Sequence, residues 1–293
     1  MRALTVSSTF GKEGRYRRAM TPTKGKIITS PQNPRIKFVK HLQKRRERDR
    51  AGLITIEGVR EIARALDAKV VLTEIYVCPE ATTSPEAREL LGALRVRGVP
   101  LITVNRTAFA KIAYREDSGG LVAVAKRPDT RLDALAAGSK GLFLVVDAVE
   151  KPGNLGAILR SADGAGVSGL IISATAADPY NANAVRASLG AIFTVPTAVS
   201  EAPPAIEWLK SNGLRIVVTT PSAETLYTDA DLTAPCAIVV GREDRGVSRP
   251  WIDAADFAVS IPMRGAVDSL NVSAVAAILL YEALRQRGTM GYT

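Results

Sequence analysis

Five short apolar runs in the second half of the chain, at residues 142–147, 170–173, 216–219, 237–240 and 257–261, constrain the fold more than any other feature. They are dominated by Val, Ile, Leu and Ala with little polar alternation, which is the pattern of strands buried on both faces. Helical segments separate them, so the alternation predicts a mainly parallel sheet with helices on both sides. The first half alternates in a similar way. Strands are expected at 53–58, 72–77, 101–104 and 120–125, and helices at 35–50, 59–67, 84–97 and 108–113, which together describe a compact α/β/α sandwich. The expected division is a disordered basic tail at 1–25, a first domain at 26–128, a linker at 129–140 and a second domain at 141–293.

Charge is uneven along the chain. Residues 1–50 hold fifteen Lys and Arg against three acidic residues, a balance of +12, whereas the whole chain carries +10, so everything after residue 50 sums to −2. Positive charge gathered at one end is an electrostatic footprint for phosphates. The segment has few large apolar residues to bury in a membrane surface. The longest apolar run of the last helix, 274–281, falls far short of the ~20 residues that span a bilayer, and the basic N-terminus lacks the apolar core of a secretory signal. Two cysteines, Cys78 and Cys236, and one histidine, His41, cannot assemble a Cys/His metal site. The thiols fit a reducing cytoplasm, and His41 reads as a solvated surface residue.

Three turns in the second half carry the chemistry. After the strand at 142–147, Pro152-Gly153-Asn154-Leu155-Gly156 opens a helix that carries Arg160. Asn154 is placed to cap this helix, and amide hydrogens at a helix start suit an anion. The strand ending at Val240 runs into Gly241-Arg242-Glu243-Asp244-Arg245-Gly246. Finally Ile261-Pro262-Met263 leads to Ser269-Leu270-Asn271-Val272-Ser273 and a helix expected at 269–287. A fourth candidate is rejected. Gly164-Ala165-Gly166-Val167-Ser168-Gly169 matches Gly-x-Gly-x-x-Gly, but a helix precedes it and a strand follows, the reverse of a dinucleotide site. It reads as a helix C-cap and tight turn.

In this order the three turns resemble the SpoU–TrmH branch of the SPOUT methyltransferases. Asn154, Gly156 and Arg160 meet the family's first motif, Gly241, Glu243 and Gly246 its second, and Ile261 to Met263 with Ser269 to Ser273 its third. Arg242 stands where a smaller polar residue is expected, a departure expected to matter little. The first half resembles the L30e-like RNA-binding domain that precedes the methyltransferase domain in many relatives, through Glu57 to Glu61 and Gly119 to Val124. The resemblance implies a C-terminal α/β domain with a deep trefoil knot, which periodicity alone does not suggest.

The resemblance also implies S-adenosylmethionine as donor and an RNA ribose 2′-hydroxyl as acceptor. Thr219, Gly241, Ile261, Met263 and Leu270 would hold the donor, with Thr220 near them. Arg160, Asn154, Ser269, Asn271 and Glu243 would serve catalysis. Gly241 would let the main chain approach the donor. Asn154 and Arg160 would hold a phosphate, and Glu243 would order its loop through Ser269 or Asn271. An arginine stays protonated, so Arg160 suits a phosphate or a developing alkoxide better than the role of base. The expectation is a cytoplasmic homodimer, joined through the C-terminal domain, acting on large-subunit ribosomal RNA. The class spans housekeeping and antibiotic-protective methylation, and the motifs do not choose between them. The alternatives are a tRNA ribose methyltransferase, disfavoured by the L30e-like domain, and a non-catalytic RNA-binding protein, disfavoured by the intact motif residues.

Overall fold

The computed structural model describes residues 27–114, 118–173, 178–267 and 269–288. The tail expected at 1–25 lies outside these residues. The chain divides into two compact units, one from residues up to 63 with 71–127, the other from 64–70 with 128 onward.

The first unit is built on a four-stranded sheet in the order β1-β4-β2-β3, from β1 (Leu53–Glu57), β2 (Leu72–Val77), β3 (Leu101–Thr103) and β4 (Leu121–Lys126). The β1/β4 and β4/β2 pairs are antiparallel, and β2/β3 is parallel. Helices α1 (Pro34–His41), α2 (Arg45–Ala51), α4 (Pro85–Val96) and α5 (Arg106–Ile112) complete it with the start of α3 (Val59–Asp67), whose residues from 64 on fall in the second unit. Ile36, Val39 and Leu42 from the α1 segment pack with Phe109 and Ile112 of α5 on Tyr76, Ile102, Val122 and Val124 of the sheet.

The single helix expected over 35–50 is two helices. The cause is Arg48, buried rather than solvent-facing, whose guanidinium donates to the carbonyls of Leu42 and Gln43 at 2.8 Å each. Those carbonyls would otherwise lack partners at the end of α1, and a continuous helix could not present them. Arg35 is also buried. Its guanidinium lies 3.1 Å from Glu74, which also accepts from the Tyr76 hydroxyl at 2.7 Å. Burial raises the Glu74 carboxyl above its ordinary value, while Tyr76 and Arg35 pull it back. His41 is exposed, and both cysteines are buried free thiols.

The second unit carries an all-parallel six-stranded sheet in the order β10-β8-β9-β5-β6-β7. Its strands are β5 (Leu142–Asp147), β6 (Gly169–Ser173), β7 (Thr197–Ser200), β8 (Arg215–Thr219), β9 (Cys236–Val240) and β10 (Phe257–Val259). The edge strand β7 escapes the sequence pattern because Thr-Ala-Val-Ser is too short and mixed to register as an apolar run. Helices α6 (Pro152–Gly164), α7 (Ala182–Ala187), α8 (Ala191–Thr194), α9 (Ala202–Ser211), α10 (Arg249–Ala254) and α11 (Val272–Gln286) cover it. The strand order and the closing helix are consistent with the knot that the resemblance implies.

The rejected glycine motif behaves as read. Gly164 ends α6, Gly166 takes φ +60°, and Gly169 opens β6 against the Phe143 ring. Residues 129–140, expected as a linker, are anchored at several points. Leu132, Leu135 and Ala137 lie on the second core, and Thr130 O accepts from Val199 N. Among the described residues no helix is long and apolar enough to cross a membrane.

Arg35 and Glu74 form a buried pair, and removing one partner strands the other's charge. Arg35→Met should cost about 3–5 kcal/mol in urea unfolding. Arg35→Met combined with Glu74→Gln keeps an acceptor for Tyr76 and should recover most of that loss. Equal stability of the single variant and the unaltered protein would show that the pair contributes nothing.

Candidate active site

All six strands of the second sheet run the same way, so their carboxyl ends meet at one edge, where open parallel sheets place ligand sites. The loops beyond β8, β9 and β10 enclose a cleft of about 520 Å³ there. Val240, Val259, Ile261, Met263, Leu270 and Val275 give it apolar walls, and Thr219, Thr220 and Ser269 bring hydroxyls. The Thr219 hydroxyl donates to Val239 O at 3.1 Å. Among the described residues the main-chain amides of Ile261, Met263 and Leu270 have no partner in the protein, which leaves them for a ligand.

The β9 loop is a closed hairpin. Arg242 and Gly246 exchange both main-chain hydrogen bonds, at 3.0 and 2.9 Å, and Gly246 sits at φ +66°. Gly241 is glycine for a reason internal to the loop: a Cβ there would collide with the Gly246 carbonyl group and the Val247 amide. Gly241 also lines the cleft as expected, so this packing cause stands beside its place in the cleft wall. The loop's far end is pinned where the buried Asp147 carboxylate, at the end of β5, accepts from Ser248 N at 2.7 Å. Buried Trp251 then donates to Ser173 at 3.0 Å. Arg242 is more than a tolerated departure. Its guanidinium bridges Asp244 at 2.9 Å and Glu150 at 3.0 Å, joining the loop to the segment after β5.

Glu243 gathers the three motif turns. Its carboxylate accepts from Asn154 at 3.1 Å, from Asn271 at 2.5 Å and from Lys151 at 3.3 Å, and the Val272 amide also bonds to it. Asn271 Nδ2 donates in addition to Asn154 Oδ1 at 3.2 Å, while Asn271 Oδ1 accepts from the Ser273 amide and caps α11. The helix therefore begins at Val272 rather than Ser269, which leaves Ser269 and Leu270 in the cleft wall. Glu243 reaches Asn271 and not Ser269.

Asn154 is not a cap. Lys151 occupies the N-cap position of α6, Pro152 stands at its first turn, and Asn154 turns its side chain to Glu243. Gly156 lets α6 approach α7, since a Cβ there would strike Ala187 and the Ser188 amide.

Arg160 does not join this cluster. It is exposed on α6, does not line the cleft, and among the described residues has no ion-pair partner. Six residues along a helix turn it well away from Asn154, so the two side chains leave α6 on different faces. Lys151 escaped sequence reading altogether. Its only signal was a cation beside the proline that opens the helix, and nothing local ties it to a glutamate 92 residues on.

Lys151 first, then Asn154 and the Val272 amide, hold the Glu243 carboxyl below its ordinary value. A depressed carboxyl stabilises the arrangement above its unfolded pKa of roughly 4.3 and loses that contribution as pH falls through the folded value. Glu243 should therefore remain ionised down to acid pH, and Lys151→Met should move its titration upward. Carboxyl-carbon chemical shifts of Glu243 would check this, and coincident titrations would refute it. For the loop, Gly241→Ala should cost about 1–3 kcal/mol through overpacking. Gly246→Ala, with open space around it, should cost only the roughly 1–2 kcal/mol of a left-handed residue. Thermal melts of the two variants would rank them, and the opposite order would overturn the packing explanation.

Residues 141–281 match the SpoU rRNA Methylase family, and residues 33–123 match the MRM3-like substrate binding domain. The chain is 33% identical over 252 residues to the 23S rRNA (uridine(2479)-2′-O)-methyltransferase of Streptomyces viridochromogenes, covering 84% of this chain and 87% of that one. It is 30% identical over 256 residues to the 23S rRNA (guanosine(2553)-2′-O)-methyltransferase RlmP of Bacillus subtilis (strain 168), covering 87% and 98%. Among solved structures, the SpoU methyltransferase AviRb from Streptomyces viridochromogenes in complex with AdoMet aligns with a TM-score of 0.80 at 31% identity, covering 89% of this chain and 100% of that one. An RNA 2′-O ribose methyltransferase aligns with a TM-score of 0.79 at 42% identity, covering 89% and 99%. With three motif turns converging on one carboxylate and relatives matched over most of their length, the chain belongs to the SpoU/TrmH family of RNA 2′-O-methyltransferases.

Proposed function

We propose that this protein methylates a ribose 2′-hydroxyl of 23S ribosomal RNA, with S-adenosylmethionine as donor. The observation that carries the reading is the convergence of Asn154, Glu243 and Asn271, far apart in sequence, beside a cleft with apolar walls and free main-chain amides. A cleft of about 520 Å³ lies within the usual range for small-molecule sites, roughly 300–1,000 Å³. Val240, Ile261, Met263 and Leu270 suit the donor's adenine and methionine parts, and the amides of Ile261, Met263 and Leu270 suit its hydrogen-bonding edges. When bound, the donor supplies a methyl group already activated on a positive sulfonium, so the protein's work is alignment.

Glu243 accepts hydrogen bonds from three side chains and one amide, and these donors lower its basicity, so it serves order rather than proton transfer. Ser269, exposed on the cleft wall, orients donor or ribose. Arg160, exposed and without an ion-pair partner among the described residues, takes the RNA phosphate beside the target and steadies charge developing on the oxygen. The half-buried row Ala274, Ala277 and Ile278, with exposed Tyr281, leaves one face of α11 apolar at the surface and supports docking of a second copy through this unit. The match of the first unit to a substrate binding domain supports ribosomal over transfer RNA as the acceptor.

Arg160→Ala removes a bidentate donor and a charge, and single-turnover methylation should fall by about 10²–10³-fold, as for other donors to developing charge. Donor affinity by calorimetry should be unchanged, since Arg160 does not line the cleft. Arg160→Lys should recover little. Normal turnover in both variants would mark Arg160 as an ordinary surface residue.

A further inference from the structure

Charge in the first unit is segregated by helix layer. The helices α1, α2 and α5 flank one face of the sheet and share one core. Together with the 42–44 turn they expose six cations between Lys37 and Arg50, and then Arg106 and Lys111. Glu47 and Asp49 are their only acids, and Asp49 is engaged by Arg127 at 2.6 Å. Arg35 and Arg48, the two cations with internal work, are buried and excluded from that count. By contrast α3 and α4 carry four basic and four acidic residues and are neutral.

We infer that the α1–α2–α5 layer is a docking surface for the phosphate backbone of the RNA substrate. This rests on the RNA reading above and adds to it the surface that holds the polymer. A layer of this charge attracts polyanions, and its folded helices hold the cations in fixed positions without further ordering. A lipid surface fits less well. Of the large apolar residues of this segment, Ile36, Val39 and Leu42 are buried in the core and Phe38 is half-buried against it, which leaves little to insert. Exposed cations in contact with phosphates act through counterion release, so each should contribute to the salt dependence of binding.

The test uses the full chain and protein-free 23S rRNA, with affinity measured across salt concentrations. Lys37→Gln, Lys40→Gln, Lys44→Gln and Arg46→Gln together should weaken binding at low salt at least tenfold. They should also flatten the slope of log affinity against log salt by up to about 3, at ~0.7–0.9 per lost contact. The pair Arg88→Gln and Arg95→Gln on α4 should change neither, and S-adenosylmethionine affinity should be unaltered in all variants. An unchanged slope in the fourfold variant, with rRNA still bound, would overturn this surface and leave the methyltransferase reading intact. Equal losses from the α4 pair would overturn it too, by showing that overall charge and not this face is read. Failure of the unaltered protein to bind rRNA while it binds the donor would overturn both the surface and the ribosomal target.

Discussion

Everything at the cleft depends on one carboxylate having several donors. Glu243 sits at the tip of a six-residue loop, and its hydrogen bonds reach the start of α6 and the cap of α11. These segments lie on separate strand ends, and no main-chain ladder joins them there. Without an acceptor in their midst, the amides of Asn154 and Asn271 would have no common orientation. With it, both Nδ2 groups turn toward Glu243, and Asn271 Oδ1 is left to cap its helix. Lys151 keeps that acceptor ionised. The cost of holding a charge there is small because Glu243 is partly exposed and surface ion pairs add little by themselves. What the network contributes is geometry.

The sheet beneath makes that geometry possible. Parallel strands bring the ends of β5, β8, β9 and β10 to one side, and two bonds to buried acceptors fasten the β9 loop to that edge. Asp147 receives the Ser248 amide, and Ser173 receives the Trp251 ring nitrogen. Both acceptors end strands, and both donors lie just beyond the loop. A loop fixed at its exit and closed by the paired hydrogen bonds of Arg242 and Gly246 is held as one wall of the cleft. Ala148, directly after Asp147, takes φ +55°. A non-glycine residue holds that conformation only when its surroundings over-determine it, and the bond from Ala148 N to Ser173 O is one such constraint.

How much of this was legible in the sequence follows from range. Strands such as 142–147 and 72–77, and the helix 59–67, emerged at their observed limits because burial on the sheet imposes a local pattern. The break at Leu42 to Lys44 did not, since it comes from Arg48 folding back on carbonyls of the preceding helix. Basic residues read as solvated by default, and the burial of Arg35 depends on Glu74, 39 positions away. At the site, the motif residues were found as types, but their partners were not. Asn154 looked like a cap because it stands near a helix start. Only the fold shows that Pro152 takes the first turn and frees Asn154 for Glu243. Gly241 lies in the cleft wall as its motif suggests, but the clash with Gly246 that also demands a glycine is visible only in the folded loop.

The pattern of paired cations around the cleft gives Arg160 its meaning. Lys151 is held by Glu243, Arg242 by Asp244 and Glu150, and Arg245 lies 3.7 Å from Asp244. A cation already facing a carboxylate offers an incoming phosphate little, because the phosphate must compete with that carboxylate and meets its repulsion as well. Arg160 meets no such competition among the described residues. It also stands on α6, the helix whose first turn carries Lys151 and Asn154, so its position is tied to the network through a rigid element rather than through contact. An arginine so placed can accept an RNA phosphate without dismantling the cluster that orders the cleft. Under the proposed function the division is a physical one: charges that neutralise one another build the site, and an exposed cation such as Arg160, with no ion-pair partner among the described residues, is free to meet the substrate.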